Sequence, residues 1–521
     1  MTGRHVAVVG GGISGLAAAY RLRRLLGAGA RITIVEQSSA LGGKLRTVAL
    51  AGVPYDVGAE AFLVRRPEAL ALVRELGLVG ELVHPAGVGA RLRFERRTVP
   101  LPPRTLLGVP ATAEGLEDVL SPRGLAVVRA EPSTPMSWDA GSDVAVGPLV
   151  AGRLGPEVQQ RLVDPLLGGV YAGSAERLGL RATMPALAAE LDSAVAAGRP
   201  PALLTAAAAA LRPEVGQPPA DAGPPGAAGP LGAAEPPADA GCGREADAVP
   251  IAGREPAAGR GPGAGSVSAV PVFGALRGGM SVLVDALVRA AGAEVRLGLP
   301  VRALARTAGG WRLEIGPAPA PEYLDADAVL LAVPPPALRR LLAPLHTAAS
   351  AAAGGIEVAS TAIVSLAFPP GTSLPPSSGV LIAAGEPLHT KAFTFSSAKW
   401  PHLRGATVLR ASLGRYGEAR ALQAGDAELI RLVRADLAEL TGLAAAPIDA
   451  VVTRWGGGLP QYEVGHLGLV ATIEAALAQL PALAVAGAAL HGIGIPACIA
   501  TADAAASKLA AQLSAADSHG S

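Results

Sequence analysis

The 521-residue chain is poor in aromatic residues, with six Phe, six Tyr and four Trp, and it has only two cysteines, Cys242 and Cys498. Two cysteines without paired spacing exclude a disulfide framework and a cysteine-based metal centre. The eight histidines form no i, i+3 or i, i+4 pair, so no metal site is expected from them either. Neither charge sign dominates: 44 basic against 43 acidic residues leave a net charge of +1. That balance excludes a broad attraction for nucleic acid or for an anionic membrane, and any anionic substrate must be met locally. Long apolar runs are missing too. The most apolar stretches, 203–211 and 482–489, fall short of the ~20 residues a membrane-spanning helix needs. Residues 1–5 lead straight into an apolar strand with no signal-peptide pattern, which points to the cytoplasm.

What is present is an alanine-rich chain, half apolar, with a mean hydropathy of +0.39. Its length predicts two or three structural units. Residues 206–268 are dominated by Pro, Ala and Gly, with almost no aromatic or β-branched residue, and read as a disordered insert interrupting a domain. The flanks regain order. A helix is expected over 280–291, then strand-like runs at 293–297, 311–315 and 328–333 that read as a meander ending in a buried strand. A β-rich stretch covers 360–413, an amphipathic helix 426–440, and a strand, glycine turn and Ala-rich helix 483–513.

The strongest local pattern is at the N-terminus. Val6 to Val9 form an apolar strand, Gly10, Gly11, Gly12, Ile13, Ser14 and Gly15 a glycine turn, and the following apolar residues a helix. Gly10, Gly12 and Gly15 occupy GxGxxG positions, serving a tight turn, close approach of a pyrophosphate, and helix–strand packing. The free N–H groups of the helix start would hold the pyrophosphate. A second strand ends at Glu36, about twenty residues on, where a carboxylate accepts hydrogen bonds from ribose hydroxyls. Gln37 follows it. No second well-formed GxGxxG unit occurs, so a nicotinamide partner is not expected.

After Glu36 come Gly42, Gly43 and Lys44, then Tyr55, Asp56, Val57, Gly58 and Ala59. In this continuation the chain resembles the amine oxidase and porphyrinogen oxidase flavoprotein superfamily. Further segments resemble the bacterial protoporphyrinogen and coproporphyrinogen oxidases: 161–173, 394–402, Arg454 and Trp455 with 459–466, 492–496, and Cys498 with Ile499. They cover nearly the whole chain outside the insert. The chain departs from that pattern in three places: Glu60 and Ala61 stand for an Asp-Ser pair, an Asn is usual in the turn near Ala488, and Ala497 stands for an Asp.

The resemblance implies an α/β fold. A Rossmann-type FAD-binding domain is assembled from 1–85, 270–333 and 452–513. A β-sheet substrate domain comprises 86–101 and 334–451, and a helical lobe is inserted at 102–205. The cofactor is FAD, approached by the glycine turn, Glu36, Gln37, Gly42, Gly43, Lys44, Gly58 to Ala61, Val301, Trp455, Ile493, Gly494 and Ile495. The implied reaction takes six electrons from a porphyrinogen, passes them to O2 and produces hydrogen peroxide. Coproporphyrinogen III is favoured over protoporphyrinogen IX, and contact with a ferrochelatase is a further expectation. Because the flavin carries the chemistry, no nucleophile or triad is expected. Arg65 and Arg66 are candidates for the substrate's propionates, against a solvated pair at a helix start. Lys399 is a candidate catalytic residue, against a structural turn, and Tyr171 a candidate slot wall, against plain packing. His466, His491 and Cys498 read as structural. The rivals are an amine oxidase, which would want an aromatic cage the composition scarcely supplies, a carotenoid desaturase, which would want an apolar docking surface, and a non-catalytic flavin-binding scaffold.

Overall fold

The computed structural model describes residues 3–212, 271–418 and 422–519. Five segments, all apolar but the edge strand Glu294–Arg296, assemble the first sheet, all parallel, in the order Glu294–Arg296, Arg31–Val35, His5–Val9, Ala328–Leu331, Leu483–Val485. Strands covered on both faces read as continuous apolar runs, and Val6, Val8, Ile34 and Leu330 are fully buried. Helices Ile13–Leu26, Ser281–Ala291 and Ile495–His519 cover one face. The other carries the antiparallel meander Val301–Thr307, Gly310–Ile315, Glu322–Ala326 and helices Pro335–Leu342 and Thr347–Gly354.

The second sheet has seven strands, in the order Asp449–Pro460, Val358–Phe368, Thr407–Leu413, Thr390–Thr394, Gly379–Ile382, Arg91–Phe94, Arg97–Pro100. All neighbours are antiparallel except Gly379–Ile382 with Arg91–Phe94. Helix Asp426–Thr441 packs Leu429, Val433 and Leu437 on one face, against Ala362, Val364 and Phe393. A lobe of helices between Pro122 and Ala210 has its own core, which also takes in Leu92, Phe94 and Tyr462.

The α/β class and the three-part architecture are as expected, while several boundaries differ. Glu294–Arg296 joins the parallel sheet through Arg31–Val35 and is not part of the meander. Residues 452–460, expected in the cofactor domain, lie in a strand of the seven-stranded sheet, paired with Val358–Phe368. The helices between 335 and 354, expected with the substrate sheet, bury Leu338, Leu341, Leu342 and Ala353 against Val329 and Leu331 of the parallel sheet. Residues 206–210 are not the start of a disordered insert. They complete helix Leu203–Ala210, whose first amides donate to the buried Glu131 carboxylate, Leu203 N at 2.8 Å and Leu204 N at 3.2 Å. A carboxylate on the free N–H groups of a helix start supplies what its alanines cannot. The rest of the expected insert, from 213 to 268, lies outside the described residues. No helix among those described is long and apolar enough to cross a membrane, and no group of three or more His, Cys, Asp or Glu among them is placed to hold a metal ion.

Candidate active site

The glycine turn has the geometry its spacing predicts. Gly10 adopts φ +102°, and a Cβ there would lie 2.3 Å from the Ala332 oxygen. A Cβ on Gly15 would lie 1.9 Å from the Gly10 oxygen, so only glycine lets the helix approach its strand this closely. At Gly12 a Cβ would meet no atom within 4 Å. Gly12 also begins helix Ile13–Leu26 without a side-chain cap. The combination is an open cradle at a helix N-terminus, the arrangement that takes a pyrophosphate. Glu36 is oriented beside it, accepting from Gly11 N at 2.7 Å and from Ser38 N and Oγ at 2.8 and 2.7 Å. Gly42 N donates to Gly11 O at 2.8 Å, which lays the second glycine pair against the first. Gln37 is exposed. Val301 opens the meander, buried with Val35, and Leu299 N donates to Glu36 O at 3.0 Å.

Lys44, Gly58 and Trp455 converge next to this cradle. Ala59 N donates to Lys44 O at 2.9 Å, and Trp455 Nε1 donates to Val57 O at 3.1 Å. A Cβ on Gly58 would sit 2.0 Å from Lys44 O and 3.0 Å from the Trp455 ring. Burial pushes the Lys44 ammonium below its ordinary value. Ser14 and Cys498 meet on the far side, and burial pushes the Cys498 thiol up. Cys498 begins the final helix with Ile495, while Ile493 and Gly494 form the turn before it.

Glu60, in the position of a usual Asp, organises a polar cluster. Lys399 Nζ donates to Glu60 Oε1 at 2.5 Å, and Arg410 lies 3.3 Å from Glu60 Oε2. Arg410 also donates to Gly58 O at 2.7 Å, tying the seven-stranded sheet to the cofactor loop. Burial alone pushes the Glu60 carboxyl up, but the charges of Arg410 and Lys399 outweigh it and hold it down at about 2. Lys399 therefore serves as a counter-ion at the end of the turn Ser396–Lys399. Tyr55 OH meets Ser396 Oγ at 2.6 Å in the same layer, and Ala61 follows Glu60 half-buried.

Three further candidates, Arg65, Arg66 and Tyr171, lie outside the Glu60 cluster. Arg65 and Arg66 are exposed, and Arg66 pairs with Glu68 at 2.8 Å as helix Pro67–Glu75 begins. Tyr171 is buried at the end of helix Asp164–Tyr171, its ring 5.6 Å from Tyr462, and burial pushes its hydroxyl up to about 12. Arg410 was not singled out in the sequence, and Tyr462 stood there only within the 459–466 segment of the resemblance, with no role given to it. Tyr462 stacks on His466 at 3.9 Å, donates to Ala488 O at 2.6 Å, and accepts from Gly492 N at 2.9 Å. His466 Nε2 reaches Leu490 O at 2.9 Å, and His491 reaches Glu474 at 2.7 Å. Tyr462 thus holds the turn from 488 to 492; its place in the 459–466 resemblance was the sign of this in the sequence.

Residues 13–510 match the model of the family described as flavin containing amine oxidoreductase. The chain belongs to that family. It is an oxidoreductase, and the dinucleotide cradle makes its flavin FAD. The chain is 40% identical over 504 residues to the coproporphyrinogen III oxidase of Mycobacterium tuberculosis, covering 96% of both. It is 40% identical over 515 residues to the enzyme of that name from Mycobacterium leprae, covering 98% of this chain and all of that one. The crystal structure of an Exiguobacterium protein assigned as a protoporphyrinogen oxidase superposes with a TM-score of 0.77 at 27% identity, covering 98% of this chain and 99% of that one.

Proposed function

We propose that this chain oxidises coproporphyrinogen III to coproporphyrin III in haem biosynthesis, with three O2 reduced to three H2O2 as six electrons and six protons leave the tetrapyrrole. The observation that carries this reading is the 40% identity, end to end, to relatives named for that substrate. The geometry supports it. Gly10 to Gly15, Glu36, Gly42 and Gly43 suit the dinucleotide, and Lys44, Gly58 and Trp455 the flavin end. FAD when bound supplies the two-electron oxidant.

The residues of the chain position and shield. Gly58 lets Trp455 and the Lys44 backbone close in on the loop, and Tyr462 and the final helix hold the 488–495 turn. Lys399 is held by its hydrogen bond to Glu60, which suits a reaction whose protons leave through solvent. Residence in the cytoplasm and hand-over of product to a ferrochelatase belong to the same proposal.

The test is anaerobic mixing of the yellow protein with coproporphyrinogen III and, separately, with protoporphyrinogen IX, following loss of flavin absorbance. Faster bleaching by the tetra-acid is the expected result. Preference for protoporphyrinogen IX would move the enzyme to the other branch, and bleaching by neither would end the reading.

A further inference from the structure

The chain uses arginine for nearly all its cations and has only four lysines: Lys44, Lys391, Lys399 and Lys508. Lys44 and Lys399 belong to the site just described, and Lys508 donates to Leu477 O on the final helix. Lys391 has no such role. It lies in strand Thr390–Thr394, is 4% exposed, and its ammonium makes no hydrogen bond or ion pair among the described residues. A buried cation without a partner is costly, and proteins retain one where something else supplies the counter-charge.

The strand is irregular at this point. Thr390 pairs with Leu413 and Ala392 with Ser412, so Lys391 is the extra residue of a bulge, a feature that re-aims a side chain. The backbone just before it is held by helix Asp426–Thr441: His389 N and Thr390 N both donate to Asp436. The charges that reach Lys391 are those of Arg415 and of exposed Glu418. Arg415 makes no ion pair either. Its Nη2 donates to Ile382 O at 3.0 Å, and its Nη1 lies 3.3 Å from where a Cβ on Gly168 would sit, against helix Asp164–Tyr171. Tyr416 N donates to Ala172 O at 2.6 Å, which fastens this corner to the end of the Tyr171 helix. Two cations, neither in an ion pair among the described residues and with exposed Glu418 the acid whose charge reaches Lys391, therefore lie where the seven-stranded sheet meets the helical lobe.

Their position relative to the flavin end follows from the register. Thr394 pairs with Arg410, the residue that bonds Gly58 O, and Lys391 is three residues back along that strand. At about 3.3 Å per residue Lys391 lies roughly 10 Å along the strand from Thr394.

We infer that Lys391 and Arg415 form a carboxylate-binding subsite that takes a propionate of the tetrapyrrole, an inference resting on the porphyrinogen reading above. Burial, reinforced by Arg415, pushes the Lys391 ammonium down to about 7, so an arriving carboxylate finds a group ready to take up or keep its proton. Exposed Arg66, already held by Glu68, offers no comparable desolvated contact.

The test uses the FAD-loaded full chain as wild type, K391M and R415Q. Affinity for coproporphyrin III and for its tetramethyl ester is read by fluorescence in one detergent buffer, alongside KM for coproporphyrinogen III and the melting temperature. A charge-assisted bond to carboxylate predicts a ten- to hundredfold loss of coproporphyrin affinity in K391M, a smaller loss in R415Q, no change for the ester, and no fall in melting temperature. Unchanged affinity for the acid, or equal losses for acid and ester, overturns the subsite. If K391M does not fold, R415Q decides by the same contrast. Normal wild-type turnover with an unchanged variant KM removes the subsite alone, whereas wild type that neither binds coproporphyrin nor bleaches with either porphyrinogen removes the porphyrinogen reading and the subsite with it.

Discussion

The two sheets of this protein recognise by different means. The parallel sheet buries only Thr33 among polar residues of its strands and works by shape: glycines where a Cβ would strike backbone, and one where it would strike nothing. The seven-stranded sheet works by charge. It buries Arg93 between Glu386 and Glu439, sets Arg410 and Lys399 on Glu60, and leaves Lys391 alone. Shape suits a cofactor that stays; charge without its partner suits a ligand that comes and goes. Lys399 and Lys391, eight positions apart, mark the contrast within one strand and its turn.

The largest expected effect comes from breaking the paired charges. E60Q removes the counter-ion of both Lys399 and Arg410, and loss of one partner of a buried pair costs about 3–5 kcal/mol. Chemical denaturation should show that loss, together with a lower flavin-to-protein ratio. The sign with pH follows from the native value of about 2 against the ordinary 4.5. The contribution of Glu60 is complete above about pH 5.5 and lost as pH falls toward 2, so wild type should lose its advantage over E60Q in acid.

Shape is broken next. G15A drives a Cβ into the Gly10 carbonyl and should lower the melting temperature of the protein even without flavin. G12A meets no atom, so it should leave that melting temperature unchanged while weakening FAD retention, read by ultrafiltration. Equal behaviour of the two variants would erase the distinction between a packing glycine and a cradle glycine.

K391M acts in the opposite sense to E60Q. The Lys391 ammonium has a native value of about 7 against an ordinary 10.5, so the unfolded chain binds the extra proton between those values. Wild-type stability should therefore rise with pH through that window. K391M should lack this rise and be more stable at pH 7 by on the order of a few kcal/mol, measured by urea titration across pH 6–9. The smallest effect is that of Y462F, which leaves Ala488 O and Gly492 N without their shared hydroxyl. A cost of about 1–3 kcal/mol is expected, with faster flavin release in a chase with excess apoprotein.

The parts of this molecule that were legible in the sequence are local. The glycine turn, the strand ending at Glu36 and the last strand, turn and helix each declare themselves within about 25 residues, because their periodicity and their glycines have local causes. Pairing over long separations leaves no such trace. Nothing in Glu294–Arg296 says that it extends a parallel sheet, and the glycines of 456–458 hid a twelve-residue strand, Asp449–Pro460. The alanines of 206–210 looked like low complexity because the carboxylate that starts their helix, Glu131, lies more than seventy residues earlier. In the same way Arg65 and Arg66 were conspicuous as a pair, while Lys391 stood in an ordinary apolar strand. The scarcity of lysine was the signal that distinguished it.

The parallel sheet is also a schedule. His5–Val9 must wait for Ala328–Leu331, and that strand for Leu483–Val485, before the layer is complete, and helix Ile13–Leu26 must wait longer for Ile495–His519. At about 5–20 residues per second of synthesis, the first strand spends roughly a quarter of a minute to a minute without Ala328–Leu331. During translation its apolar edge needs shelter from other chains, and a nascent polypeptide halted anywhere before residue 483 has no finished sheet on which to keep a flavin.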